Sequence, residues 1–353
     1  MDFGINWLSQ FLLAPTPTVW CGGVAPMLSL KNMSFWDNLP RPFFVLAPMA
    51  DVTDPAFRRV IAQRGKPHVT WTEFVSADGL AFAPEEGRKK LLADLQYSES
   101  ERPIVAQFFT SNPESMEKAA RLAFEMGFDG IDINMGCPDK TIEKQKAGAA
   151  MIKNPELAKE VIAAAIRGGQ GLPVSVKTRI GYNVNELETW LPHLLQTGVA
   201  AITLHARTRK EMSKVDAHWD QVKRAVEIRD ATNPDVLILG NGDAKNIEDA
   251  RAKAKESGAD GVMLGRAIFG NPWLFSNSQE FENVPLKEKL RVMVEHTKLF
   301  SELLPHKNFA IMKKHYKAYV SGFDGASELR GRLMEANDAT EVGKIVDEFC
   351  DTV

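Results

Sequence analysis

The chain has 353 residues, 44% hydrophobic and 25% charged, with a formal net charge of −3. That length allows one large α/β domain plus a smaller one, and the composition is that of an ordinary globular protein. The charge excludes polyanion binding through overall basicity, so a nucleic-acid contact needs a local patch.

No apolar run reaches membrane-spanning length. The three cysteines, Cys21, Cys137 and Cys350, are odd in number and far apart. This fits a reducing cytoplasm and not a disulfide framework.

Residues 1–38 are expected to form a poorly ordered extension. The stretch from Trp7 to Ala14 is mildly apolar, but Asp2 stands where a signal peptide needs positive charge. Prolines at 15, 17, 26, 40 and 42 interrupt the chain beyond Ala14, and Met27 or Met33 is the expected start.

From there, short β-rich runs recur at 43–47, 69–74, 104–109, 130–134, 174–177, 201–205, 236–240 and 261–264, each followed by a helical pattern. Eight apolar runs separated by amphipathic helices predict parallel strands buried on both faces. Asn112-Pro113-Glu114 and Asn154-Pro155-Glu156 each place a capping Asn before a Pro at the first helical position. Met116, Ala119, Ala120, Ala123 and Phe124 then share one face of the helix after Asn112.

Eight such units predict a (β/α)8 TIM barrel over 39–283. A doubly wound sheet would ask for a glycine-rich first turn, whereas this one reads Ala47-Pro48-Met49-Ala50. From 284 to 353 strands give way to helices, at 288–296, 309–319 and 339–350, predicting a small C-terminal all-helical domain.

In a barrel the chemistry gathers at the carboxyl ends of the strands. Those ends carry Pro48-Met49-Ala50, Glu73, Gln107, Asn134 with Cys137, Lys177 with Arg179, His205 with Arg207, Asn241-Gly242-Asp243, and Gly265-Arg266. Each alone is weak; their joint placement is a strong signal. Gly242 and Gly265-Arg266 fall after strands seven and eight, where barrels bind phosphate.

A free cysteine is most often a small buried hydrophobe. Pro138 and the polar stretch 139–147, read as a mobile loop, favour a functional role for Cys137. No metal is expected.

These motifs are similar to those of the bacterial tRNA-dihydrouridine synthases, FMN-dependent barrels that reduce uridine in tRNA. The matches are Ala47-Pro48-Met49-Ala50-Asp51-Val52-Thr53-Asp54, Gln107, Asn134-Met135-Gly136-Cys137-Pro138, Val176-Lys177-Thr178-Arg179, His205-Ala206-Arg207, Asn241-Gly242-Asp243 and 258–266. They span about residues 41–275 in order. In the tail, Lys313-Lys314-His315 with Tyr319 resembles the basic–basic–His–aromatic run of that family, with Lys313 where Arg is commoner. Ala217-His218-Trp219 departs from the usual Ala-Asp-Trp.

The resemblance implies FMN held by Pro48, Met49, Ala50, Gln107, Lys177, His205, Asn241, Gly242, Asp243, Gly265 and Arg266. It implies electrons from NADPH or NADH and reduction of the C5–C6 bond of a D-loop uridine. A hydride must come from a cofactor, since no side chain supplies one. Cys137 is the implied proton donor, and an unperturbed thiol is protonated at neutral pH, as a general acid must be.

Asn134, Arg179, Arg207, Lys313 and Lys314 are the implied substrate contacts. Lys307, Lys317, Arg330 and Arg332 add to the basic supply of the tail. The implied partner is tRNA, with neither membrane nor obligate protein partner. Two other functions share many of these residues: a dihydroorotate-dehydrogenase-like FMN barrel, and a non-catalytic tRNA-binding barrel. The basic tail argues against the first, and Cys137 together with Lys177 against the second.

Overall fold

The computed structural model describes residues 34–276 and 283–352. Its centre is one parallel sheet formed by β1 (Phe43–Leu46), β2 (Thr70–Trp71), β3 (Val75–Ser76), β4 (Ile104–Phe109), β5 (Gly130–Met135), β6 (Val174–Arg179), β7 (Ala201–His205), β8 (Leu237–Asn241) and β9 (Gly261–Leu264). The order is β1-β9-β8-β7-β6-β5-β4-β2, with β3 also on β4. The seam between β1 and β2 is closed by the His68 N–H, which donates to Phe44 O at 3.0 Å. Nδ1 of His68 takes the Phe44 N–H at 3.1 Å, so an imidazole stands in for a strand carbonyl.

The expected TIM barrel is what forms, because strands β4 and β5 are buried at every position, as a sheet covered by helices requires.

The expected second strand departs from its reading. Only Thr70–Trp71 of it pair, as β2, and β3 follows beyond its expected end, because Glu73 turns out of the ladder to accept from the Asp51 N–H and from Lys307. The expected extension also ends earlier than residue 38. Phe35–Asn38 make a 3-10 turn capped by Ser34, and Trp36 is buried against Phe43 and Trp71. An apolar ring inserted under β1 orders this turn. The rest of the expected extension, 1–33, lies outside the described residues.

Around the sheet run α1 (Pro55–Arg64), α2 (Ala77–Phe82), α3 (Glu85–Asp94), α4 (Pro113–Glu125), α5 (Lys140–Lys144), α6 (Pro155–Gly168), α7 (Leu187–Leu195), α8 (Trp219–Thr232) and α9 (Ile247–Ser257). Both predicted Asn caps are present. Asn112 Oδ1 accepts from the N–H of Glu114 at 3.0 Å, and Asn154 Oδ1 from that of Leu157 at 3.3 Å.

The C-terminal part contributes α10 (Leu286–Leu303), α11 (Met312–Tyr319), α12 (Ala326–Glu335) and α13 (Ala339–Cys350). These helices share one apolar core with α1, in which Phe57 and Ile61 join Leu290, Met293, Phe300 and Tyr316. Among the described residues, no helix is long and apolar enough to cross a membrane.

Candidate active site

At the carboxyl ends of the strands lies a cavity of about 310 Å³. Its wall includes Pro48, Met49, Asn134, Cys137, Lys177, Arg179, His205, Arg207, Asn241, Gly242, Asp243, Gly265 and Arg266, all anticipated from strand ends. A shallower depression of about 830 Å³ adjoins it, sharing Arg207, Asp243 and Arg266 and adding Lys214 and Lys245.

Five anticipated residues are not on the cavity wall. Glu73 is buried and turned to Lys307. Ala50 faces solvent beside Asp51, which turns the chain with a positive φ of 54°. Gln107 is fully buried behind Asn134. Lys313 and Lys314 lie on α11, in the C-terminal part.

Cys137 follows β5 at the point where the strand ladder ends. Its N–H donates to Asn134 Oδ1 at 2.9 Å, and its carbonyl accepts from the Ala149 N–H at 2.9 Å. The second contact needs Gly148, whose φ is +61° and where a Cβ would sit 2.7 Å from the Cys137 carbonyl oxygen. Burial is the largest influence on the thiol and pushes it above its ordinary value of 9.0, outweighing the opposing Asp139 backbone contact and nearby cations.

The polar stretch after Cys137 corrects the loop reading. It contains the short helix α5, capped by Asp139, with Ile142 buried and Glu143 paired to Arg209.

Lys177, two residues before the end of β6, reaches Asn241 Oδ1 at 3.1 Å. The Asn241 amide is oriented by its Nδ2, which donates to the Met263 carbonyl at 2.8 Å. Burial, then Arg179, pushes Lys177 down to about 8, while Asp132 and Cys137 hold it up. The ammonium is therefore still the major form at neutral pH.

His205 is pushed well below its ordinary value, first by burial and then by Arg179, Lys177, Arg207 and Arg266. Arg207 can only donate, so the 3.2 Å contact from its Nη1 makes His205 Nε2 an acceptor and places the ring proton on Nδ1. Asp243 anchors both neighbouring arginines, taking Arg207 on Oδ2 and Arg266 on Oδ1 at 2.7 Å. Burial opposes its charge, but Arg207, the Ala217 N–H and Arg266 hold it below the ordinary carboxylate value.

Arg179 spends its donors on main chain: Nε on the Gly136 carbonyl at 2.7 Å, and Nη1 on those of Thr208 and Met212. It pins the Cys137 segment to the segment after β7. The wall is thus cationic, with its one carboxylate already shared by two guanidinium groups.

A family model described as dihydrouridine synthase (Dus) matches residues 45–353. The chain belongs to the dihydrouridine synthase family. A Staphylococcus aureus (strain MRSA252) relative named "Probable tRNA-dihydrouridine synthase" is 41% identical over 319 residues, covering 90% of this chain and 95% of its own. "Probable tRNA-dihydrouridine synthase 2" of Bacillus subtilis (strain 168) is 41% identical over 320 residues, covering 90% and 96%. Among solved structures, histamine dehydrogenase from Rhizobium sp. 4-9 aligns with a TM-score of 0.50 at 12% identity, over 72% of this chain and 48% of that one. At that identity the likeness is one of fold.

For this synthase-family chain, strand-end reasoning missed wall residues that come from elsewhere. Phe74 lies just beyond β2, Met263 is inside β9, and Ser213 is on the segment after β7. Only Phe74 carried a signal, as an aromatic next to a strand end.

The basic supply of the tail also needs correcting. Lys307 is 13% exposed and held by Glu73 at 3.0 Å and Asp94 at 2.9 Å. Arg330 donates to the Val320 carbonyl, and Arg332 pairs with Glu348. Lys314 and Lys317 are exposed, and Lys313 half-buried, on α11, whose other face buries Met312, His315, Tyr316 and Tyr319.

Proposed function

We propose that the cavity holds FMN and that the protein reduces the C5–C6 double bond of a D-loop uridine in tRNA, with Cys137 donating the proton and NADPH or NADH supplying electrons. The observation that carries this reading is a thiol, kept protonated by burial, on the wall of a cavity whose charged groups are mostly cations, Lys177, Arg179, Arg207 and Arg266. Such a wall suits a ligand with a phosphate and a ring that gains negative charge on reduction.

The residues fit that ligand. Gly242 has a φ of +128°, and a Cβ there would lie 2.8 Å from the Ala217 Cβ, so the backbone itself faces the cavity. The adjoining depression gives room for a ligand longer than one ring system, with Arg266 between the two spaces. Pro48, Met49, Lys177, His205, Asn241, Gly242, Asp243, Gly265 and Arg266 would hold it, with buried Gln107 supporting Asn134 from behind. When bound, FMN supplies the hydride.

The chain's own groups do the rest. Lys177, fixed by Asn241, presents positive charge to the floor of the cavity. Neutral His205 offers a ring N–H. Cys137 delivers its proton from a position set by Asn134 and Gly148. Asn134, Arg179 and Arg207 border the place a base extruded from the tRNA stack would enter. Lys313 and Lys314 would grip phosphates, with 284–353 acting as the tRNA-binding domain and 39–283 as the catalytic one.

The test is direct. Purified protein should be yellow and release one FMN per chain, and with NADPH it should form dihydrouridine in unmodified tRNA. A colourless protein that cannot be reconstituted, or a flavoprotein that leaves tRNA unchanged, defeats the reading.

A further inference from the structure

We infer that Asp132 is a positioning residue for Cys137: as the acceptor-only end of a buried amide chain, it sets which way that chain points and so holds the Cys137 segment in place. This rests on the proposed role of Cys137.

Strand register puts three residues at one level. Gln107 of β4 is paired with Asp132 of β5, and Asp132 with Ser175 of β6. All three are buried, Asp132 and Gln107 completely. Asp132 Oδ1 accepts from Ser175 Oγ at 2.5 Å, and its Oδ2 accepts from Gln107 Nε2 at 2.5 Å. Gln107 Oε1 in turn accepts from Asn134 Nδ2 at 3.1 Å. Asn134 Oδ1 then accepts from the N–H groups of Gly136 at 3.1 Å and Cys137 at 2.9 Å.

The direction of this chain is dictated at both ends. An ionised carboxylate can only accept, and a backbone N–H can only donate. The two amides between them have one arrangement that satisfies every contact. Burial raises Asp132 to about 6, against Ser175, Gln107 and Lys177, which leaves it mostly ionised at neutral pH.

Asp132→Asn removes the constraint with almost no change of shape. If the new amide turns its NH2 toward Gln107, Gln107 must turn its oxygen to meet it. Asn134 then turns as well, and its NH2 meets the two backbone N–H groups of Gly136 and Cys137. Donor faces donor at the proton-donating segment. Asp132→Asn combined with Gln107→Glu restores the direction and the charge: the introduced amide donates to the introduced carboxylate, which accepts from Asn134 as Gln107 did.

Amide hydrogen exchange of the 133–138 peptide in the full-length protein as purified, without tRNA, reads the geometry. In parallel, the rate at which tRNA oxidises the pre-reduced flavin reads the consequence. Asp132→Asn should lower exchange protection by roughly tenfold or more, the loss of a buried hydrogen bond, and slow the tRNA-dependent step. The double variant should recover most of the exchange protection.

Should Asp132→Asn not fold, Gln107→Glu alone serves. Its two facing carboxylates keep the direction while they share a proton, so protection corrected for intrinsic exchange should hold at low pH and fall as pH rises. Unchanged protection in Asp132→Asn, no recovery in the double variant, or pH-independent protection in Gln107→Glu would overturn the inference. Wild-type protein that forms no dihydrouridine would instead defeat the proposed reaction, leaving the exchange result readable.

Discussion

Cys137→Ala should divide the reaction in two. Two cavity groups carry a transferable proton near neutrality, the Cys137 thiol and the Lys177 ammonium. Their pH ranges differ because burial moves them in opposite directions, the thiol above 9.0 and the ammonium down to about 8. Above pH 8 the ammonium is losing its proton while the thiol, raised by burial, still keeps it.

If Cys137 is the donor, the tRNA-dependent oxidation of pre-reduced flavin should require the thiol at neutral pH, where the Lys177 ammonium is also intact. Its loss in Cys137→Ala should be roughly 10²–10⁴-fold, or about 3–5 kcal/mol of barrier. Reduction of the flavin by NADPH, which uses no thiol, should stay within about twofold of wild type on the scale of such effects. Cys350→Ala, on α13 and off the cavity, should match wild type in both steps. Anaerobic stopped-flow absorbance measures both half-reactions in one instrument. Equal tRNA-dependent rates in wild type and Cys137→Ala would refute the assignment.

Neutralising Lys313 and Lys314 together should flatten the salt dependence of tRNA binding by about one to two units of slope while leaving flavin reduction unchanged; an unaltered slope would place the grip elsewhere. Lys307→Met should destabilise the fold by about 2–3 kcal/mol in urea titrations. This is less than a fully stranded buried charge would cost, because Glu73, already raised to about 7 by burial, escapes by binding a proton. A change under about 0.5 kcal/mol would show that the tie carries no weight.

His315 and His296 are both buried, and burial depresses both, His315 to about 3. The unfolded chain therefore takes up protons below about pH 6.5 that the folded chain refuses, and stability is lost as pH falls. Relative to wild type, His315→Phe should gain about 2 kcal/mol between pH 7.5 and 5. The comparison must be relative because the raised carboxyls of Glu73, Asp54 and Asp132 act in the opposite sense. A pH-independent difference would show that the imidazole is not what titrates.

Local pattern carried much of this protein. A run of buried β-branched and aromatic residues followed by a capped amphipathic helix can be read within about 30 residues, so strands, helices and caps were legible. Because a parallel barrel sends every strand end to one rim, the residues after each run were legible as neighbours too. Cys137, Lys177, His205 and Asn241 converge for that reason.

What the amino-acid sequence could not decide was how each polar group is spent. Lys307 reads as one more cation of a basic tail, yet it closes a buried pair with Glu73, 234 positions away. Arg179 reads as a ligand contact, but its Nε and Nη1 hold main-chain carbonyls. Asp132 reads as one residue of a strand, and only register sets it between Gln107 and Ser175. Backbone periodicity is local and survives in a one-dimensional string. The partner of a charge depends on which distant element the fold brings within about 3 Å, and no spacing along the chain encodes that distance.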